Sequence, residues 1–257
     1  MTILDGKKLS EQILSDLKLK ISDSKLKINL DIILVGDNPS SLKYIALKQK
    51  RAEEVGITGQ LYRLPENELS ALPSLLTALN QNPVTSSFFI QLPIPGLSDS
   101  SEILNKILPQ KDADGLNPDS GITPAVVRGI ITLLKNYSLS FDQKNIVIVN
   151  DSKLIGQPLK KYFSQFTSQV TLLNDQTSDL SPYTQSADIL ISATGVKNLI
   201  TAEMVKEGAV VLDVANGDVD FANVSPKCTF ITPTFGGVGP MTIASLLQNA
   251  YDLATKK

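Results

Sequence analysis

The stretch LDIILVGDNPSSLKYIALKQKRAEEVG, residues 30–56, decides the fold class. LDIILVG is a short apolar run ending in glycine, the pattern of a strand buried on both faces. NPSS (38–41) supplies turn and N-cap residues, whose short polar side chains bond the free N–H groups of a starting helix. A helix is expected from about Ser41 to Val55, stopped by Gly56. The same alternation follows. GQLYRL (59–64) reads as a strand, LSALPSLLTALN (69–80) as a helix with Pro73 in its first turn, and SSFFIQLPIP (86–95) as a strand closed by prolines. The order βαβαβ predicts parallel strands joined by helical crossovers.

Working outward, Leu9, Ile13, Leu14 and Leu17 share one face of a helix over 7–21. SEILNKIL (101–108) is a short helix, PQKDADGLNPDSGITP (109–124) a loop, and AVVRGIITLLKNY (125–137) a helix linking two halves. The pattern then restarts. NIVIV (145–149), VTLLN (170–174), DILISAT (188–194), AVVLDVA (209–215) and FITP (230–233) read as strands. A helix follows the turn NDSKLIGQP, and MTIASLLQNAYDLATKK (241–257) is a terminal helix. Two α/β units are therefore expected, divided near residues 109–124.

Composition narrows the chemistry. The chain has 257 residues, 42% apolar and 19% charged, with a net charge of −2, which describes a globular protein. Scattered Lys and Arg and the absence of Trp give no footprint for nucleic acid. Cys228 is the only cysteine and there is no histidine. That excludes a disulfide, a structural zinc site of the usual kind, and Ser-His-Asp or Cys-His catalysis. The start, MTILDGKKLSEQIL, is too polar for a signal peptide, and no apolar run reaches membrane-spanning length. The expectation is a cytoplasmic protein that engages neither membrane nor nucleic acid.

Several small constellations carry possible chemistry. In YIALK (44–48), Tyr44 and Lys48 stand one helical turn apart. A helical lysine is ordinarily solvated, but a desolvated one loses proton affinity and serves as acid or base. Gln91, in IQLPIP, sits at the carboxyl end of a strand, where open parallel sheets bind ligands; its plain reading is a buried hydrogen-bonder. In KDADG (111–115), Asp112 suits a turn cap. Asp114 taken singly reads as an ordinary turn aspartate; pointed into a cleft, its carboxylate would suit a 2-amino-4-oxo heterocycle, taking two N–H groups in bidentate fashion. The turn VNDSKLIGQP (149–158) lies where a dinucleotide fold binds phosphate, though it lacks G-x-G-x-x-G and is equally an ordinary βα turn. Asp151 and Ser152 offer polar groups there. Asp175 closes the next strand, where an acidic residue holds the adenosine ribose of NAD and repels a 2′-phosphate. FGGVGPMT (235–242) permits close backbone approach or acts as a hinge, with Pro240 and Thr242 opening the terminal helix.

Together DGK (5–7), LVGDNPSSLKYIALKQKRAEEVG (34–56), IQLPIP, PQKDADGLNP (109–118), SKLIGQP (152–158), EGAVVLDV (207–214) and ITPTFGGVGPMTIASLL (231–247) resemble the bifunctional methylenetetrahydrofolate dehydrogenase/methenyltetrahydrofolate cyclohydrolase family over nearly the whole chain. The resemblance implies an α/β fold of two α/β domains with a folate cleft between them. Residues 1–120 plus 238–257 would form the folate-binding catalytic domain, and 121–237 a Rossmann-like NAD(P)-binding domain. It implies a catalytic set of Lys48, Tyr44, Gln91 and Asp114: Lys48 as the central group, tuned by Gln91, with Tyr44 packing on the folate and helping proton transfer and Asp114 as pterin anchor. Leu92, Pro93, Gly237, Gly239 and Pro240 would complete the substrate contacts. Asn150, Asp151, Ser152, Asp175, Thr194, Gly195 and Asn216 would line the cofactor side. It also implies a homodimer.

This chain departs from the family pattern on the cofactor side. Asn150 stands for the usual Gly, Gln157 for a frequent Arg, and Asn174–Asp175 for basic or small polar residues. Val126–Val127 replaces a Thr-Pro, and the stretch after Pro118 and the loop ANGDVD (215–220) are short. NAD is favoured over NADP on Asp175 and Gln157. A cyclohydrolase with weak or lost dehydrogenase activity, and a folate-binding protein without turnover, are the alternatives. A generic dehydrogenase of a small acid lacks any His or Arg pair for a carboxylate substrate.

Overall fold

The computed structural model describes residues 1–256; Lys257, the last residue of the expected terminal helix, lies outside the described residues. Along the chain run β1 (Thr2–Ile3), α1 (Gly6–Ser24), β2 (Ile28–Val35), α2 (Pro39–Glu54), β3 (Ile57–Thr58), β4 (Leu61–Leu64), α3 (Leu72–Gln81), β5 (Ser87–Ile90) and α4 (Ser101–Leu104). Then follow α5 (Ala125–Asn136), β6 (Ile146–Val149), α6 (Gly156–Phe163), β7 (Val170–Leu173), α7 (Ser181–Thr184), β8 (Ile189–Ser192), β9 (Val210–Asp213), α8 (Phe221–Val224), β10 (Phe230–Ile231) and α9 (Val238–Thr255). Two compact units emerge. Gln12–Ala125 with the residues from Ile243 on form one, here the β2 unit; Met1–Glu11 with Val126–Thr242 form the other, the β6 unit.

In the β2 unit, β2 is the central strand. It pairs in parallel with β5 on one side and with β3 and β4 on the other. Its apolar residues are buried on both faces, Leu30, Ile32 and Leu34 on one and Ile33 and Val35 on the other, as the near-continuous apolar run of a covered parallel strand requires. Asp31 interrupts the run and is buried, but its carboxylate accepts from Gln60 N at 2.8 Å and Thr85 Oγ1 at 2.7 Å. Gly59 separates β3 from β4; any Cβ there would collide with the Leu30 carbonyl. The core gathers Leu30, Ile32, Ile45 and Phe89 with Ile243 and Leu247 of α9.

Element ends follow local chemistry. The second helix starts before Ser41 because Asn38 is the cap: its Oδ1 accepts from Ser40 N at 2.9 Å and Ser41 N at 3.1 Å, and Pro39 needs no partner for a missing N–H. The third α-helix begins only at Leu72, after a 3₁₀ stretch over Glu66–Ala71. The fifth strand ends at Ile90, ahead of two prolines that cannot donate to a ladder, and the Leu92–Pro93 bond is cis. The expected helix over 101–108 covers only Ser101–Leu104, because Lys106 and Ile107 close tighter i→i−3 turns.

The β6 unit is a six-stranded parallel sheet in the order β1-β10-β9-β8-β6-β7. The chain runs from β6 to β7 on one side and returns to β8 on the other. That makes β6 a topological switch point, the place where open α/β sheets bind ligands at their carboxyl ends. Val147, Leu190, Val211 and Ile231 carry its core. Met1–Glu11 cluster with this unit, through the pairing of Thr2–Ile3 with Phe230–Ile231. The terminal helix opens at Val238, ahead of the expected Met241. Among the described residues no helix is long and apolar enough to cross a membrane.

Candidate active site

Lys48 projects from α2 and is 4% exposed, whereas its neighbour Leu47 is 43% exposed. Its Nζ donates to Gln91 Oε1 at 3.2 Å and lies 4.0 Å from Asp114 Oδ2. The rings of Phe89 and Tyr44 flank it, with centroids at 4.1 and 4.7 Å. Gln91 is locked in this orientation because its Nε2 donates to the Leu92 carbonyl at 2.8 Å, leaving the oxygen for the lysine. Burial strips water from the ammonium and pulls the Lys48 pKa down, with Asp114 opposing. Burial likewise raises Asp114, with Lys48 opposing, and holds the Tyr44 phenol well above its usual range with help from Asp114. Desolvation therefore outweighs mutual attraction, and the amine gives up its proton more readily than a solvated lysine.

The loop 111–117 explains why Asp114 faces the lysine. Lys111 is buried and donates to the carbonyls of Leu79 at 2.8 Å and Asn82 at 2.6 Å. Asp112 is buried as a cap, accepting from Leu116 N at 3.1 Å and Asn117 N at 2.8 Å. Burial outweighs those bonds and raises its carboxyl to about 6. Asn249 of α9 donates to the carbonyls of Ala113 at 2.9 Å and Thr123 at 3.1 Å. With both ends pinned, Asp114 alone keeps a partly open carboxylate, 17% exposed. Leu92 is half-buried and Pro93 exposed beside Gln91.

At the carboxyl ends of β6 to β9 the β6 unit collects the other expected residues. Asn150 Oδ1 accepts from Ser152 N at 2.9 Å, Ser152 Oγ at 2.7 Å and Gly156 N at 3.1 Å, and its Nδ2 donates to the Ala193 carbonyl at 2.8 Å. The Ser152 hydroxyl is thus committed to the turn, where it also accepts from Ile155 N at 3.2 Å. Gly156 admits no side chain, since a Cβ would collide with the Asn150 carbonyl. Asp151 is exposed and its Oδ2 accepts from Asn174 Nδ2 at 2.8 Å, joining the ends of β6 and β7. Gln157 Nε2 donates to the Asp151 carbonyl at 3.2 Å. Asp175, Thr194, Gly195 and Asn216 are all exposed, Asn216 in the left-handed region at φ 63°.

Gly237, Gly239 and Pro240 belong to the β6 unit, whereas Tyr44, Lys48, Gln91 and Asp114 belong to the β2 unit. Gly237 is buried; its carbonyl would meet any Cβ on Gly6, and a Cβ on Gly237 itself would meet the Thr232 side chain. Gly239 and Pro240 are half-buried in the first turn of α9. Sequence reasoning missed Phe89, Lys111 and Asn249 as supports of the lysine site. Phe89 looked like any strand residue and Asn249 like any helix residue. Lys111 stood inside a recognised motif, and that was the signal available. Asp218 was missed as well; it is 1% exposed and accepts four hydrogen bonds from the end of β8 and the turn that follows.

A desolvated lysine held by a carboxamide and facing a carboxylate, in a chain whose other unit is a switch-point parallel sheet, defines a two-unit α/β enzyme of the dinucleotide-using kind. Residues 4–114 match the family model described as tetrahydrofolate dehydrogenase/cyclohydrolase, catalytic domain, and residues 124–257 the model described as its NAD(P)-binding domain. The chain belongs to the tetrahydrofolate dehydrogenase/cyclohydrolase family. It is 39% identical to bifunctional protein FolD of Wolinella succinogenes, over 99% of this chain and 97% of that one. The crystal structure of the bifunctional enzyme FolD from Campylobacter jejuni superposes with a TM-score of 0.94 at 39% identity, covering 100% of this chain and 99% of that one. The Trypanosoma brucei enzyme, complexed with NADP cofactor and inhibitor, gives 0.93 at 28% identity, covering 100% and 98%.

Proposed function

We propose that this chain oxidises 5,10-methylenetetrahydrofolate to 5,10-methenyltetrahydrofolate with NAD(P) and hydrolyses that product to 10-formyltetrahydrofolate. The observation that carries the reading is Lys48, buried between Gln91 and Asp114 in a chain without histidine. In the hydrolysis, water adds to the methenyl carbon and the neutral Lys48 Nζ takes its proton. The ammonium so formed returns a proton to the ring nitrogen that leaves that carbon, the remaining hydroxyl proton passes to solvent as the C=O forms, and the formyl group stays on the other nitrogen. Gln91 Oε1 accepts from Nζ in both states and keeps it aimed. Asp114 takes the two N–H groups of the 2-amino-4-oxo ring. Those donors replace part of the charge support that a neutral Lys48 withdraws. Tyr44 lends a ring face, and burial makes its phenol hold its proton more firmly than an exposed tyrosine. Leu92 and Pro93 wall the site.

The residues at the carboxyl ends of β6 to β9 fit a dinucleotide. Gly195 and Gly217 have positive φ and open space where a side chain would stand, so backbone is exposed at the sheet edge. Asp175 would hold the adenosine ribose, and Thr194, Gly195 and Asn216 the rest, while Ser152, whose N–H and hydroxyl bond within the turn, shapes that turn. When bound, NAD(P) accepts the hydride that leaves the methylene carbon.

NAD is the preferred cofactor in this reading. The exposed carboxylates of Asp151 and Asp175 stand at the ends of β6 and β7, and the neutral Gln157 stands beside them. Two negative charges repel a 2′-phosphate. The enzyme acts in the cytoplasm, as its composition led us to expect, and as a homodimer, as its family resemblance implies. Steady-state assays of oxidation with NAD and NADP, and of methenyltetrahydrofolate hydrolysis, test all of this. The expected result is both activities, with higher kcat/KM for NAD. A preference for NADP overturns the cofactor assignment, and absence of hydrolysis overturns the reading as a whole.

A further inference from the structure

Asp218 has no place in the scheme above, yet it is the most heavily bonded carboxylate in the β6 unit among the described residues. It follows β9 in the short loop ANGDVD. Its Oδ2 accepts from Ser192 Oγ at 2.7 Å, Thr194 N at 2.6 Å and Thr194 Oγ1 at 2.9 Å, and its Oδ1 accepts from Gly195 N at 2.8 Å. Its own carbonyl accepts from Ile200 N at 2.9 Å, so the clamp is itself held. Ala193, the residue before the clamped pair, is tied to Asn150 through its carbonyl. One hydrogen-bonded chain therefore joins the turns after β6, β8 and β9.

Position gives the clamp its meaning. Adenosine belongs at the β7 side of the switch point, where Asp175 stands, so the remaining half of a dinucleotide extends over the ends of β8 and β9. Thr194 and Gly195 lie exposed on that path. A trans peptide sets C=O opposite N–H, so fixing Gly195 N–H on Asp218 turns the Thr194 carbonyl away from the buried acid. A carboxylate is the side chain that can receive four converging donors, because it has two oxygens and no donor of its own.

We propose that Asp218 is the positioning residue for the nicotinamide half of the cofactor site, acting through Thr194 and Gly195. The proposal rests on the NAD(P) reading of the β6 unit. Asp218→Asn keeps the shape but sets an NH₂ against backbone donors. Ser192→Ala removes one of the four bonds and leaves the exposed turn untouched. Titration with NAD and NADP, amide hydrogen exchange of the ligand-free protein, and the rate of methenyltetrahydrofolate hydrolysis are measured for both variants. Asp218→Asn is expected to raise the dissociation constant about tenfold, as for a buried donor left unpaired. Ser192→Ala raises it less. Exchange at Thr194 and Gly195 accelerates in Asp218→Asn, while hydrolysis, which uses no dinucleotide, persists. Unchanged dissociation constants overturn the proposal, and if Asp218→Asn does not fold, an unchanged value in Ser192→Ala does the same. Parallel loss of hydrolysis and binding makes Asp218 merely structural and also overturns it. Wild-type protein that binds neither dinucleotide removes the NAD(P) reading, and this proposal with it.

Discussion

Lys48 and Leu47 are neighbours whose exposures run against their chemistry, the cation inside and the leucine outside. Burying an ammonium is costly unless polar partners replace its water. Gln91 supplies one hydrogen bond, two ring faces supply quadrupole attraction, and Asp114 stands at ion-pair range. The compensation is partial, which is why the amine gives up its proton more readily than a surface lysine. The sign of the pH effect follows. If the neutral amine is the working form, hydrolysis rises with pH and levels off at an apparent pKa below the ordinary lysine value of about 10.4. The pH profile of kcat/KM checks this, and a profile without an inflection below that value contradicts it. Lys48→Met should abolish hydrolysis while the folate still binds, by rate assay and titration. Retained turnover in that variant removes Lys48 from the mechanism. The Tyr44–Lys48 spacing was legible because helical neighbours are set by local geometry. Phe89 was not, because nothing in a buried strand says which ring will meet a cation.

Two βα turns carry the two proposed sites, and they are built differently. The helix α2 is capped by its own preceding Asn38 and opened by Pro39, a signature readable from NPSS alone. The helix α6 has no side-chain cap on its N-cap residue; its Gly156 N–H goes to Asn150, six residues back, whose other end reaches β8's turn. Asn38→Ala should therefore lower stability by about 1 kcal/mol, the ordinary value of a helix cap. Asn150→Ala should cost more, about 1–3 kcal/mol, because it leaves several partly buried donors unpaired at once. Denaturant melts with constant m-values measure both, and equal losses would contradict the contrast. The resemblance implied that Asn150 stands where the family has glycine. It did not show that the side chain is the tie between two turns, since Ala193 lies far along the chain.

For the molecule as a whole, the expected assembly is a homodimer, and sedimentation equilibrium should return twice the chain mass across the micromolar range; a monomer at all concentrations contradicts it. The alternation of apolar strands with capped helices determined the fold class, because strand and helix periodicity, caps and glycine stops act over a few residues and are written locally. The motif order determined the family. Tertiary structure decided what depends on distant contacts and on exclusion of water. It pairs Thr2–Ile3 with Phe230–Ile231 at the other end of the chain. It separates the two aspartates of KDADG into a buried cap and a partner of Lys48. It sets Asp218 beneath Thr194 and Gly195. Spacing along a chain fixes which side chains share a helix face, but desolvation is a property of the packed neighbourhood, and that neighbourhood forms only when remote segments meet.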